Sequence, residues 1–154
     1  MRIKTNKKAP NFKLDSTASK PFELSKLKNA LIVYFYPKDN TPGCTLETKD
    51  FSKLYKKFKS LKYEVVGISR DNIKSHLGFK KKYKVPFQLL SDEKVQVQKK
   101  YGVWRMKSFI GKKFMGTIRS TIAINKHGKI LRVWSNVRVK NHAQEVLDFV
   151  KSQK

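Results

Sequence analysis

The sequence predicts an α/β fold in which a central sheet, part parallel and part antiparallel, is flanked by helices. Short β-branched and aromatic runs alternate with amphipathic stretches along the chain. One run, ALIVYFY at residues 30–36, is apolar throughout, as a strand covered on both faces should be. A late pair of runs is joined by Lys126-His127-Gly128, the mark of a hairpin with a Gly-containing turn.

Taken in order, ALIVYFY is a buried strand that stops at Pro37. Beyond the PKDNTPG loop, Phe51, Leu54, Tyr55 and Phe58 fall at i, i+3, i+4 and i+7, which predicts an amphipathic helix to about Leu61. YEVVGIS (63–69) is the next strand, and DNIKSHLGFKKKYK is a basic helix ended by the Val85-Pro86 step. FQLL (87–90) is a short strand, and SDEKVQVQKKYG is expected to be a capped helix opening at Ser91 and closing at Gly102. IRSTIAIN and KILRVWS form the hairpin, and HAQEVLDFVKSQK is a C-terminal helix with Val146, Leu147 and Val150 on its apolar side.

At 154 residues the chain suits one domain, 1–154, and can bury a core without disulfides. Its single cysteine, Cys44, closes no internal bridge. MRIKTNKKAPNFKL has no apolar leader segment, and ALIVYFY is far short of the roughly 20 residues a membrane span needs. A cytoplasmic protein with no membrane partner is expected. The 36 Lys+Arg against 11 Asp+Glu give +25, a field that attracts polyanions through salt-sensitive contacts. Yet only six of those bases are Arg, the lysines are scattered, and no nucleic-acid signature appears. Solvated lysine faces are expected, with nucleic-acid binding at most non-specific.

The setting of Cys44 is the chemical signal. Thr41 suits an N-cap and Pro42 the first helical position, which puts Cys44 in the first turn. There the free backbone N–H groups and the positive helix end favour a thiolate. A lone intracellular cysteine is otherwise a small buried hydrophobe. The capped helix start directly after a buried strand shifts the balance toward a reactive thiol.

PKDNTPGC, with Pro37 seven residues and Thr41 three residues before the cysteine, resembles the active-site loop of the peroxiredoxins. The longer YFYPKDNTPGCTLE, with Glu47 three after it, is similar to the bacterioferritin comigratory protein or peroxiredoxin Q subfamily. APNFKL, VPFQLLSDEK, YGVW, GKKFMGTIRSTIAIN, KHGKI and NHAQEVLDFV extend the resemblance over nearly the whole chain. It implies a thioredoxin-like fold, a thiol-dependent peroxidase of antioxidant defence, a peroxidatic Cys44, an active-site arginine at Arg119, no cofactor, and a monomer. Many members carry a second, resolving cysteine five residues after the first, where this chain has Lys49. The oxidised sulfur must then be reduced by an external thiol, whether thioredoxin, glutaredoxin or a small thiol, or bridge to a second chain.

Peroxide reduction needs a thiolate and donors aimed at the two oxygens. Arg119 offers a planar fork, and the N–H groups of Gly43 and Cys44 point from the helix start. The Thr41 hydroxyl is expected to accept from the peroxide while donating to sulfur. Pro37 and Pro42 would supply apolar walls, and Glu47 would orient Arg119 or the helix start. His76, His127 and His142 have no cysteine or carboxylate at ligand spacing, so no metal site is expected. Trp104 and Trp134 should pack, or Trp104 should line the peroxide entrance. RMKSFIGKKFMG, which has no clear period, is expected to be a loop covering the site. The alternative reading is a protein of this fold acting mainly as a binder of nucleic acid or acidic partners.

Overall fold

Every residue of β3 (Ala30–Phe35) is buried, because its two faces enter different halves of the core. The computed structural model describes residues 3–153, so Met1, Arg2 and Lys154, the ends of the expected domain, lie outside it. β4 (Tyr63–Ser69) pairs in parallel with β3 on one side and with β5 (Gln88–Ser91) on the other. The far side of β3 is closed by antiparallel β8 (Ser120–Ile124) and then β9 (Ile130–Trp134). β1 (Lys13–Ser16) and β2 (Phe22–Glu23) extend the other edge, giving the order β2-β1-β5-β4-β3-β8-β9. These two edge strands have no counterpart in the sequence reading, since they are short and rich in Lys, Ser and Glu.

On one face Ile32, Tyr34 and Tyr36 meet α1 (Pro42–Ser60), α2 (Ile73–Tyr83) and α4 (His142–Ser152) through Phe51, Phe58, Phe79, Val146 and Leu147. On the other, Leu31, Val33 and Phe35 join Ile68, Leu90 and Ile122 against Val97 of α3 (Gln96–Lys100) and the N-terminal Phe12 and Phe22. The mixed sheet flanked by helices agrees with the expected class. Trp134 packs into the first of these halves, whereas Trp104 is only half-buried, with the Arg70 guanidinium 5.4 Å over its ring.

Two expectations are corrected. The α3 helix opens at Gln96 rather than at Ser91, which ends β5. Val95 takes the N-cap position, and the Asp92 carboxylate three residues upstream accepts from the N–H groups of Val97 and Gln98 at 3.3 and 2.9 Å. The segment expected to be a loop over the site is a two-stranded ribbon, β6 (Trp104–Phe109) and β7 (Lys112–Thr117). Its side chains are largely exposed on both faces, so no apolar alternation marks it in the sequence.

Candidate active site

The turn from β3 into α1 is held from beneath. Asp39 is buried, and its carboxylate accepts from Tyr36 Oη at 2.6 Å and Ser75 Oγ at 2.8 Å. His76 Nδ1 pairs with Asp39 Oδ2 across 2.8 Å, while its Nε2 lies 3.0 Å from the Leu90 carbonyl. The Asp39 N–H in turn donates to Asp71 Oδ2 at 2.9 Å, which also accepts from Ser69 Oγ. Folding thus joins His76 to two carboxylates, their ligand-type atoms within 4.8 Å of one another, although no sequence spacing suggested it. Each of those atoms is engaged in a hydrogen bond, so the group is the loop's anchor. Burial pushes the Tyr36 hydroxyl well above the ordinary phenol range and keeps it a donor.

Above this anchor, α1 begins at Pro42 with Thr41 in extended N-cap geometry, and Cys44 sits in the first turn as expected. The Thr41 hydroxyl departs from expectation. It donates to the Lys38 carbonyl at 2.8 Å and makes no capping hydrogen bond, because the tight Pro37–Thr41 turn brings that carbonyl within reach. Its proton is committed there rather than to sulfur, which leaves its lone pairs free to accept. Thr45 N–H closes the helix onto the Thr41 carbonyl at 2.9 Å, and Pro42 has no N–H. Gly43 and Cys44 carry the two free donors of that turn.

Cys44 is buried, 1% exposed, beneath the Arg119 side chain. Arg119 lies between β7 and β8, and its Nη2 donates to Cys44 Sγ at 3.3 Å. Its Nη1 donates to Glu47 Oε1 at 2.6 Å. A Cβ on Gly43 would stand 3.3 Å from Arg119 Nη2, so the glycine lets the guanidinium close on the helix start. Glu47 is sealed in, and burial drives its carboxyl up to about 7 against the opposing charge and hydrogen bond of Arg119. Desolvation works against the Arg119 charge, but Glu47 and Cys44 outweigh it and raise its proton affinity.

The first turns of α1 are fixed to the sheet by Tyr34, whose hydroxyl pairs with Thr48 Oγ1 at 2.9 Å. Gly67 on β4 makes room for that ring, since a Cβ there would lie 2.7 Å from Tyr34 Cζ. His142, buried at the start of α4, pairs with Thr121 Oγ1 at 2.8 Å. Burial holds its imidazole below the usual range. The structure brings together Cys44, Arg119, Glu47 and Gly43 as expected, with Thr41 and Pro42 on the same turn and Pro37 at its start. The sequence reading missed Asp39, His76, Tyr36 and Thr48. A polar residue with a covered side chain leaves no mark in the order of letters.

The sequence profile described as the AhpC/TSA family matches residues 5–133. Peroxiredoxin Bcp of Bacillus subtilis strain 168 is 40% identical over 152 residues, covering 98% of this chain and 97% of that protein. The chloroplastic peroxiredoxin Q of Sedum lineare is 42% identical over 149 residues, covering 94% of this chain and 76% of that protein. The crystal structure of Xylella fastidiosa PrxQ superposes with a TM-score of 0.93 at 33% identity, covering 99% of this chain and 98% of that one. The Xanthomonas campestris bacterioferritin comigratory protein, described for its alkyl peroxide reduction activity, gives 0.88 at 34% identity, covering 92% of this chain and 91% of that one. With a thiol under a guanidinium at a helix start, on the thioredoxin-like sheet these relatives share, the chain belongs to the AhpC/TSA family, as a peroxiredoxin of the Bcp and PrxQ type.

Proposed function

We propose that Cys44 reduces hydrogen peroxide and organic hydroperoxides in a one-cysteine cycle completed by an external thiol. The observation that carries this reading is the Arg119 guanidinium, donating at once to Cys44 Sγ and to Glu47. The Cys44 thiolate attacks the terminal oxygen of R–O–O–H, a sulfur–oxygen bond forms as the O–O bond breaks, and the electron pair leaves on RO⁻. A proton converts that leaving group to ROH, and Cys44 becomes a sulfenic acid. One reducing thiol then displaces water to give a mixed disulfide, and a second releases Cys44 as thiol with the reductant's own disulfide.

Arg119 and the N–H groups of Gly43 and Cys44 are placed to bind charge that builds on oxygen as the bond lengthens, which lowers the barrier rather than merely tightening substrate binding. The Thr41 oxygen accepts the peroxide O–H, and Pro37 and Pro42 keep the turn apolar. The reductant is of the thioredoxin, glutaredoxin or small-thiol type, since Lys49 stands where a resolving cysteine would be. The same reading takes the protein as a cytoplasmic monomer. Net charge alone supports the alternative of a nucleic-acid binder.

The test is to mix reduced protein with one equivalent of hydrogen peroxide, or of an organic hydroperoxide, and follow its loss. Rapid consumption with one trappable sulfenic acid, abolished in Cys44→Ser, is expected. Peroxide that persists over the wild-type protein overturns the proposal. Candidate thiols supplied one at a time then identify the reductant. An acidic reductant steered by the basic surface would lose turnover as salt is raised.

A further inference from the structure

The β6–β7 ribbon ends in apolar side chains that the fold leaves uncovered. Met106 pairs with Met115 on one face, while Lys107 pairs with Phe114 and Phe109 with Lys112 on the other. Phe109 is 67% exposed and Ile110, at the tip, 84%. Ile110 and Gly111 both have positive φ, 49° and 74°, the mirror-image turn that joins two strands through two residues. Asn, Asp or Gly normally takes the first of those positions, and a β-branched residue is strained there. Isoleucine at this place serves neither the turn nor the core.

The charge along the ribbon and the chain flanking it has one sign. No Asp or Glu occurs between Glu93 and Glu145, a stretch that includes the whole ribbon. Lys112 and Lys113 flank the tip and are exposed. Lys107 lies back across Gly116 and donates to the Thr117 carbonyl at 2.9 Å, so it braces the ribbon's base.

We propose that the ribbon seats the protein on an anionic lipid surface. Phe109 and Ile110 enter the boundary between headgroups and acyl chains, and Lys112 and Lys113 meet lipid phosphates. The apolar groups surround the tip instead of forming one face, which suits a fluid hydrocarbon better than a protein groove. A second copy would bring lysines against lysines, and a nucleic acid offers no hydrocarbon for the tip. The expectation of no membrane partner is thereby narrowed: no helix among the described residues is long and apolar enough to span a bilayer, but the ribbon is shaped to lie on one. Arg119 follows β7 by two residues, so the tip and the pocket are separated by at most about 30 Å of extended chain.

Vesicles of phosphatidylglycerol and of phosphatidylcholine at about 0.15 M salt test this, with a polarity-sensitive dye at position 110 in the double variant Cys44→Ser, Ile110→Cys. A second labelled protein, Cys44→Ser with His127→Cys, reports on a turn outside the ribbon. The dye at 110 is expected to shift to apolar emission on phosphatidylglycerol only, while the dye at 127 stays aqueous. The unlabelled double variant Phe109→Ser, Ile110→Asn should keep peroxide turnover and bind those vesicles at least about tenfold more weakly. The proposal is overturned if that variant binds as well as wild type, which would mean adsorption by net charge. It is equally overturned if the dye at 110 stays aqueous on vesicles, shifts as much on RNA, or if the ribbon substitutions instead dissolve a homodimer.

Discussion

Arg119 reaches Cys44 across 75 residues of sequence and sets its Nη2 3.3 Å from the sulfur. A single fork therefore touches the sulfur while its other arm is held by Glu47. Removing that fork in Arg119→Met should lower the second-order rate with peroxide by about 10²- to 10³-fold, and it also strands the enclosed Glu47 carboxyl without its partner, so stability should fall as well. Arg119→Lys should recover part of it, because a point charge survives but the two-armed geometry does not. Stopped-flow consumption of peroxide measures both. Equal rates for all three proteins would remove Arg119 from the chemistry.

Gly43 separates helix stability from catalysis. Alanine there is a better helix former than glycine, so Gly43→Ala should melt no lower than wild type. Its Cβ, however, would stand 3.3 Å from Arg119 Nη2 and displace the guanidinium by some tenths of an ångström. A fall of about tenfold in kcat/KM at unchanged Tm is the expected pattern. Parallel losses in both quantities would instead mean a general disturbance of the turn.

Glu47 gives the fold a pH dependence whose sign is fixed. Its carboxyl titrates near 7 when folded, against an ordinary 4.5 when unfolded, because burial disfavours the charge. Between those values the folded state binds more protons than the unfolded one, so stability declines as pH rises from 4.5 and the penalty is complete above 7. The contribution over that window is about 3 kcal/mol. In Glu47→Gln this decline should be missing from a plot of unfolding free energy against pH, and the variant should gain on wild type at pH 8. An unchanged slope would show that the carboxyl stays ionised throughout.

His76 and Asp39 are both almost fully enclosed, and each satisfies the other. His76→Leu leaves the Asp39 carboxylate without its ring partner and takes the Nε2 contact away from the Leu90 carbonyl. A loss of about 3 kcal/mol or more is expected in denaturant unfolding. Activity should fall too, since Asp39 belongs to the turn that presents Thr41 and Cys44. Full stability in this variant would show that the anchor is dispensable.

Much of the frame was legible in the letters, for identifiable reasons. β3, α1 and β4 announce themselves by a continuous apolar run, a 3.6-residue stripe and a β-branched run, all read within one short window. The position of Cys44 follows from Thr41 and Pro42 by counting. Arg119 was reachable only through resemblance, because no local period relates a residue in the link between β7 and β8 to a helix start. The ribbon escaped because strands exposed on both faces have no pattern to display. Asp39 and His76 escaped because a loop aspartate and a histidine in a lysine-rich helix look solvated until the fold covers them. Thr41 was placed correctly, yet its proton goes to Lys38, a choice made by the turn's curvature.

The enclosure of the sulfur, only 1% of Cys44 being open, also sorts its visitors by size. A small peroxide needs little room beside the guanidinium, whereas a thiol carried on a protein needs a wider opening than the closed turn of α1 offers. Oxidation is thereby a guest's errand and reduction a door-opening. In the proposed cycle, the closed pocket therefore favours entry of the oxidant over approach of a protein-borne reductant.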